Sequence, residues 1–207
     1  MEDNVILCDI GNTSYHFLDG EKEYKVAAEG FDPASVREEV HYISVNPAAD
    51  EKLAMLSNWH DLRSCIEWEG YYQTMGIDRI MACEAIEEGL IIDAGSAITV
   101  DLVSGGRFMG GFIYPGIAAM RESYRNISPR LDYSLNFELD LDKMPKNSRD
   151  AISYGVLRTL YCEVMRHRKQ IYLTGGDAKA LAKIFPEAVV DERLLFRGMK
   201  KMMENRC

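Results

Sequence analysis

The chain alternates short apolar runs, which predict strands, with longer amphipathic stretches, which predict helices. Apolar runs at residues 5–8, 15–18 and 24–27 indicate three strands, and helical and strand patterns alternate from there to about residue 88. The same plan returns in the second half, with strand patterns at residues 90–92, 98–103 and 108–113 before the next helices. This repeated order predicts an α/β protein made of two similar halves.

Residues 1–88 and 89–207 are therefore predicted to form two domains that pack closely, with a cleft between them, because no flexible linker separates them. Asp32-Pro33 is typical of a helix start, and so is Asn147-Ser148, with either residue as the N-cap. The polar residues 128–147 are expected to be weakly ordered, as a lid or a dimer loop. The remaining expected elements are strands at 41–45, 64–68 and 170–173, and helices at 47–59, 76–88, 115 onward, 148–168, 177–185 and 194–204.

One motif occurs at the start of both halves. A strand-like run leads into Asp9-Ile10-Gly11-Asn12, and a second leads into Asp93-Ala94-Gly95-Ser96, each followed at once by another strand-like run. Each copy predicts a hairpin whose glycine turn lets backbone amides approach a phosphate, beside a carboxylate that can hold the accompanying cation. The alternative is two unrelated strand ends that share a common turn sequence. The matched pair favours a nucleotide clamp.

Composition restricts the partners of such a protein. With 207 residues and 47% hydrophobic content, the chain can bury a core. A net charge of −9 argues against binding to a nucleic-acid backbone, and no apolar run is long enough to cross a membrane. The five cysteines lack a Cys-x-x-Cys pair, so we expect reduced thiols in a cytoplasmic protein.

Several other residues are candidates for chemistry. Asp78 begins a predicted helix and could accept the proton of a substrate hydroxyl, although a carboxylate is also common in a first helical turn. Arg79 could bind a substrate carboxylate or a phosphate, or form a surface ion pair. Gly175-Gly176-Asp177 follows a strand, where it could support an adenosine group or serve as an ordinary crossover. The chain has neither a P-loop motif nor a dinucleotide-binding motif.

Five motifs, in this order along the chain, resemble those of the type III pantothenate kinases: Asp-Ile-Gly-Asn-Thr-Ser, Gly-Ile-Asp-Arg, Asp-Ala-Gly-Ser-Ala-Ile-Thr-Val-Asp, Gly-Gly-Phe-Ile-Tyr-Pro-Gly and Leu-Thr-Gly-Gly-Asp. The resemblance extends from Asp9 to Asp177. It implies two RNase H-like domains of the actin, sugar kinase and chaperone ATPase superfamily. It also implies a homodimer that phosphorylates pantothenate with ATP to 4′-phosphopantothenate, the first step of coenzyme A biosynthesis. The implied cofactors are Mg²⁺ with ATP and a monovalent cation, K⁺ or NH₄⁺.

The resemblance also assigns roles to positions of this sequence. It implies that Asp9 binds the magnesium ion, Asp93 binds the monovalent cation and Asp78 is the catalytic proton acceptor. The implied ATP-binding residues are Asp9, Ile10, Gly11, Asn12, Thr13, Ser14 and Ser96. The implied pantothenate-binding residues are Tyr72, chosen over its neighbour Tyr71, with Gly76, Ile77, Asp78, Arg79 and Ser148.

Two other functions stay open on the same scaffold. A kinase for a sugar or another small hydroxy acid would keep the phosphate hairpins and change only the acceptor. A nucleotide-binding regulatory or accessory protein would bind ATP without consuming it. Turnover with a panel of acceptors distinguishes these possibilities.

Overall fold

The computed structural model describes residues 5–206, and residues 1–4 and Cys207 lie outside it. Contacts divide the described residues into two compact units. The first contains the residues up to Ala85 together with those from Arg193 onward, and the second is Ile86–Glu192. The predicted boundary at residues 88 and 89 differs from this division mainly in the position of the last helix.

The elements follow the predicted α/β alternation. The strands are β1 (Ile6–Ile10), β2 (Ser14–Asp19), β3 (Lys22–Ala27), β4 (Val40–Ser44), β5 (Trp59–Asp61), β6 (Glu88–Ala94), β7 (Ala97–Ser104), β8 (Arg107–Pro115), β9 (Ile171–Thr174) and β10 (Val189–Val190). The α-helices are α1 (Pro47–Leu53), α2 (Ile77–Glu84), α3 (Ile117–Ile127), α4 (Ser148–Met165), α5 (Ala178–Leu181) and α6 (Leu194–Arg206).

The two units contain equivalent five-stranded sheets. The strand order is β3-β2-β1-β4-β5 in the first unit and, in the corresponding direction, β8-β7-β6-β9-β10 in the second. In each sheet the central strand pairs antiparallel with the next strand in sequence and parallel with the fourth. The repeat seen in the sequence is therefore a repeat of sheet topology, with β1 equivalent to β6.

Each sheet buries its central strand, so the strand ends are fixed in position. Alternate residues of β1, Ile6, Cys8 and Ile10, belong to the core of the first unit with Phe17 and Trp59. Leu90, Ile92 and Ala94 of β6 pack in the core of the second unit, against apolar residues of α4 and α5. The polar residues that follow these strands are therefore held by well-packed cores.

The last helix belongs to the first unit because its apolar face is buried there. Leu194, Phe196, Met199 and Met202 are at most 1% exposed. Gly198 allows α6 to approach α2 closely, since a Cβ at this position would lie 1.8 Å from the carbonyl oxygen of Met81. The helix itself was predicted correctly, but sequence proximity placed it in the wrong half.

Some local predictions are confirmed and others are wrong. The Asp32 side chain accepts a hydrogen bond from Ala34 N at 3.1 Å and caps a short 3-10 helix, as predicted. The predicted strand at residues 64–68 is wrong: the edge strand is β5, and Asp61 then caps a 3-10 helix by accepting from Arg63 N at 2.9 Å. The two-residue strand β10 was missed because it is too short to show a period.

Residues 128–147 have little regular structure, but they are attached to α4. Leu135 is buried in the core of the second unit, and the backbone amide of Asn136 donates to Ser153 Oγ at 2.8 Å. Ser153 is fully buried. The expectation of weak order is therefore not met at residues 135 and 136.

Two further expectations concern cysteines and membranes. Cys8, Cys83 and Cys162 are free thiols, whereas Cys65 is disulfide-bonded, in contrast to the expected reduced state. Within residues 5–206, no helix combines the length and apolar character that a membrane span requires.

Candidate active site

The first glycine turn joins β1 to β2, as predicted. Gly11 N donates to the carbonyl oxygen of Ser14 at 3.0 Å, which closes the turn around the exposed residues Asn12 and Thr13. Asp9, half-buried, lies one residue before the end of β1, opposite His16 of β2. Burial is the main cause that lowers the pKa of His16, whose Nε2 lies 2.7 Å from Glu23 Oε1. The structure thus brings together all six predicted phosphate-binding residues, 9–14.

A residue that the sequence analysis missed supports this turn. Asn46 lies between β4 and α1, and its Nδ2 donates to the carbonyl oxygen of Gly11 at 3.4 Å. Its Oδ1 also accepts from Ala48 N at 3.1 Å, so the same side chain caps α1. The available signal was an Asn directly before Pro47, a strong helix-start pair.

The second glycine turn joins β6 to β7 at the equivalent place and is one residue shorter than the first. Asp93 lies one residue before the end of β6, where it pairs with Thr99 of β7 and Thr174 of β9. Gly95 N donates to the carbonyl oxygen of Ala97 at 3.0 Å, and Ser96 is exposed at the turn. Asp9 and Asp93 therefore occupy equivalent positions in the two units.

Two other glycine motifs lie against this second turn. Gly175 has a φ of +87°, and a Cβ there would be 2.3 Å from Asp93 Oδ1 and 2.7 Å from the carbonyl group of Ala94. Asp177 N donates to the Ala94 carbonyl oxygen at 2.9 Å. On the other side, a Cβ on Gly116 would be 2.2 Å from the Ser96 carbonyl oxygen. The Gly175-Gly176-Asp177 turn, whose role the sequence left open, and Gly116 are thus both packed against the second turn.

The Gly-Ile-Asp-Arg motif forms the start of α2. Asp78 Oδ1 accepts from Arg79 N at 2.8 Å and lies where a side chain on Gly76 would be, 2.4 Å from the position of a Cβ. Gly76 therefore leaves room for the carboxylate to fold back over the helix N-terminus, where the helix dipole favours a negative charge. Ile77 is buried beneath this turn.

The two neighbouring tyrosines have different partners. Tyr72 OH accepts a hydrogen bond from the guanidinium of Arg79, whose Cζ lies 5.8 Å from the centre of the Tyr72 ring. Tyr71 OH donates instead to Glu84 Oε1 at 2.9 Å. Arg79 is only 5% exposed, and Tyr72 is 44% exposed. The structure therefore places Tyr72 with the Gly76–Arg79 motif.

Ser148 lies on a different element, at the first position of α4. The cap of this helix is Asn147, whose Oδ1 accepts from Asp150 N at 2.9 Å, so of the two predicted caps Asn147 is confirmed. Ser148 is exposed.

The donor set around the two turns fits hard cations. Asp9 and Asp93 offer carboxylate oxygens at strand ends, and Mg²⁺ and K⁺ both prefer oxygen ligands. Among residues 5–206, no group of three or more His, Cys, Asp or Glu side chains could hold a metal ion. Mg²⁺ beside a nucleotide is usually bound by one or two carboxylates together with phosphate oxygens and water, so a strand-end carboxylate is a suitable ligand.

The paired sheets and glycine turns define an α/β protein of the actin-like ATPase and sugar kinase fold. A Sinorhizobium meliloti protein described as a 2-dehydro-3-deoxygalactonokinase shares this fold, with a TM-score of 0.58 at 11% identity, over 97% of this chain and 96% of that chain. The family model of type III pantothenate kinase matches residues 19–170. The chain belongs to the type III pantothenate kinase family.

Individual relatives agree over almost the full length. The type III pantothenate kinase of Sulfurimonas denitrificans is 60% identical over 97% of this chain and 98% of its own. The corresponding protein of Campylobacter jejuni (serotype O:2) is 41% identical, over 97% of both chains. A crystal structure from Campylobacter jejuni, described as a member of the Baf family of transcriptional activators, superposes with a TM-score of 0.86 at 40% identity, over 96% of this chain and 97% of that one.

Proposed function

We propose that this chain is a kinase that transfers the γ-phosphoryl group of ATP to the primary hydroxyl of pantothenate, giving 4′-phosphopantothenate for coenzyme A biosynthesis in the cytoplasm. The observation that carries the proposal is the pair of equivalent glycine turns, one in each unit, in a chain of this family. Two turns of this kind supply backbone amides to a polyphosphate, each beside one carboxylate.

The transfer itself depends on positioning and on charge neutralisation. The hydroxyl oxygen of pantothenate attacks the γ-phosphorus while the bond to the β–γ bridging oxygen breaks, which leaves ADP. Asp78 accepts the hydroxyl proton, because its carboxylate is held at the start of α2 by Arg79 N. Residues 9–14 and Ser96 bind the phosphates. Asp9 would hold Mg²⁺, which when bound would supply neutralising charge to the phosphate oxygens.

Pantothenate would lie against the Gly76–Arg79 motif. The Arg79 guanidinium, positioned by Tyr72, is suited to bind the pantothenate carboxylate. The partly exposed Tyr72 ring lies next to this guanidinium and would contact the same end of the substrate. Ser148 supplies a further hydroxyl to the substrate. The adenosine part of ATP is assigned to the Gly175-Gly176-Asp177 turn, where Asp177 N donates to the Ala94 carbonyl oxygen at 2.9 Å, next to the second glycine turn.

The monovalent cation is assigned to Asp93. Gly175, which has no side chain, brings its backbone close to Asp93 Oδ1, so carbonyl and carboxylate oxygens can surround one ion. Any of the carboxylates Asp9, Asp78 and Asp93 placed near ATP would repel the nucleotide unless a cation neutralised the charge.

Replacing Asp93 by alanine is expected to abolish activation by potassium. No activation should appear even at K⁺ concentrations about 10-fold above the half-maximal value of the wild type, because a charged oxygen ligand is lost. Initial rates measured across a K⁺ titration, with Asp140→Ala as an exposed carboxylate control in the same unit, test this. Retained activation by potassium would show that the monovalent cation binds at a place other than Asp93.

The proposed function is tested by ADP release from Mg-ATP with pantothenate, with and without potassium, beside a panel of sugars and hydroxy acids. We expect turnover that depends on both pantothenate and potassium. Turnover only with another acceptor would support a kinase activity but would show that pantothenate is not the substrate.

We also propose that the chain is a homodimer. The edge strand β8 presents Met109 and Ile113, which are 60% and 63% exposed, and an exposed apolar edge strand favours pairing with another chain. Sedimentation equilibrium measures the oligomeric state directly.

A regulatory protein that binds nucleotide is the second candidate. It is favoured by the description of the Campylobacter jejuni structure as a transcriptional activator. The net charge of −9 opposes direct contact with DNA phosphates. ATP binding without turnover, for any acceptor in the panel, would favour this candidate over the kinase.

A further inference from the structure

A carboxylate next to Ser148 is held by two asparagines. Asp150 Oδ2 accepts from Asn147 Nδ2 at 2.7 Å, and Asp150 Oδ1 accepts from Asn136 Nδ2 at 2.9 Å. Asn147 is the cap of α4, and Asn136 belongs to the irregular segment 128–147. One side chain therefore joins the start of the helix to the segment that precedes it.

The carboxylate cannot easily be replaced in this arrangement, because both asparagines use their amide oxygens elsewhere. Asn147 Oδ1 accepts from Asp150 N at 2.9 Å, and Asn136 Oδ1 accepts from Glu138 N at 3.1 Å. A rotation of either side-chain amide that exchanged its oxygen and nitrogen would therefore break one of these hydrogen bonds. The hydrogen bonds from Asn136 and Asn147 lower the pKa of Asp150, which keeps it an acceptor at both oxygens.

Further bonds connect the same two stretches of chain. Asn136 N donates to Ser153 Oγ at 2.8 Å, and Ser153 Oγ donates to the carbonyl oxygen of Arg149 at 2.9 Å. Arg149 Nε donates to the carbonyl oxygen of Ser134 at 3.2 Å. The first turn of α4 and residues 134–136 therefore form one hydrogen-bonded unit, with Ser148 exposed on it.

We infer that Asp150 is a positioning residue for pantothenate binding, which acts by fixing the helix turn that carries Ser148. This inference rests on the proposed function, in which Ser148 contacts pantothenate. Asp150 contributes nothing to the transfer step or to ATP binding. Its effect is confined to the orientation of the Ser148 hydroxyl.

The test is a double-mutant cycle between Asp150→Asn and Ser148→Ala. In Asp150→Asn, the new side-chain NH₂ group faces the NH₂ group of one asparagine, and one hydrogen bond to a charged oxygen is lost. KM for pantothenate should therefore rise by about 10-fold. The values of kcat and of KM for ATP should stay within about twofold of the wild type. In the Ser148→Ala background, Asp150→Asn should change KM for pantothenate by less than about twofold, because the hydroxyl it positions is absent.

A matched control and a second variant complete the experiment. Asp142→Asn removes an exposed carboxylate of the same segment, ion-paired to Arg158 of the same helix, and should leave KM for pantothenate unchanged. Asn136→Ala removes one of the two bonds to Asp150 and should repeat the coupling with Ser148 if Asp150→Asn does not fold.

The outcomes separate this inference from the proposed function. Additive effects of the two substitutions, or an equal rise of KM for both substrates, would overturn the positioning role in an active kinase. A wild-type chain that does not turn over pantothenate would overturn the proposed function, and the inference with it.

Discussion

Asp78→Asn is expected to lower kcat by about 10²- to 10⁴-fold, the range that a positioned proton acceptor contributes. The amide keeps the shape of the carboxylate and can still accept from Arg79 N, so the start of α2 should persist. It cannot take up the hydroxyl proton of pantothenate. Binding of ATP should be nearly unaffected, because the proposed nucleotide ligands lie on the two glycine turns.

Steady-state rates and the KM values of both substrates measure this effect. Glu51→Gln, an exposed acid on α1 in the same unit, controls for the loss of one negative charge. Near-normal turnover of Asp78→Asn would remove Asp78 from the proton-transfer role. A large rise in KM for ATP would instead indicate a general disturbance of the site.

Gly175→Ala is expected to damage both stability and activation by potassium. A φ of +87° is costly for a residue with a side chain, about 1–3 kcal/mol in free energy of unfolding. The new methyl would also meet Asp93 Oδ1 and the Ala94 carbonyl group, both closer than 3 Å. Tm should fall by about 2–4 °C for each kcal/mol lost, for a chain of this size.

Gly176→Ala is the matched control for this substitution. A Cβ on Gly176 would have no heavy atom within 4 Å, so the neighbouring glycine should tolerate the methyl. Thermal unfolding and K⁺ titration of the two variants separate a general effect of alanine in this turn from the specific contact with Asp93. Equal behaviour of the two variants would show that the close approach of Gly175 has no role in the cation site.

The sequence predicted the parts of the site that depend on local pattern. An apolar run before Asp-x-Gly requires a buried strand and a tight turn, so both hairpins followed from residues 5–18 and 90–103 alone. The cap of α4 followed in the same way, because Asn147 satisfies a backbone donor close to it in sequence.

The sequence could not predict contacts between residues far apart along the chain. The bond from Asn46 to Gly11 links β4 to the first turn across 35 positions, and nothing in the local pattern specifies it. The contact of Gly175 with Asp93 is of the same kind. The edge strand β5 was misplaced because three residues are too few to show alternation, and the capping by Asp61 decides where it ends.

The return of α6 to the first unit affects the order in which a newly made chain can fold. The second unit is one continuous stretch, Ile86–Glu192, and can complete its core as soon as that stretch has left the ribosome. The first unit is translated earlier, but it must wait for Leu194, Phe196, Met199 and Met202 to cover its apolar surface. During synthesis, the unit that emerges first therefore completes its core last, and until then its apolar surface is open to aggregation or to capture by chaperones.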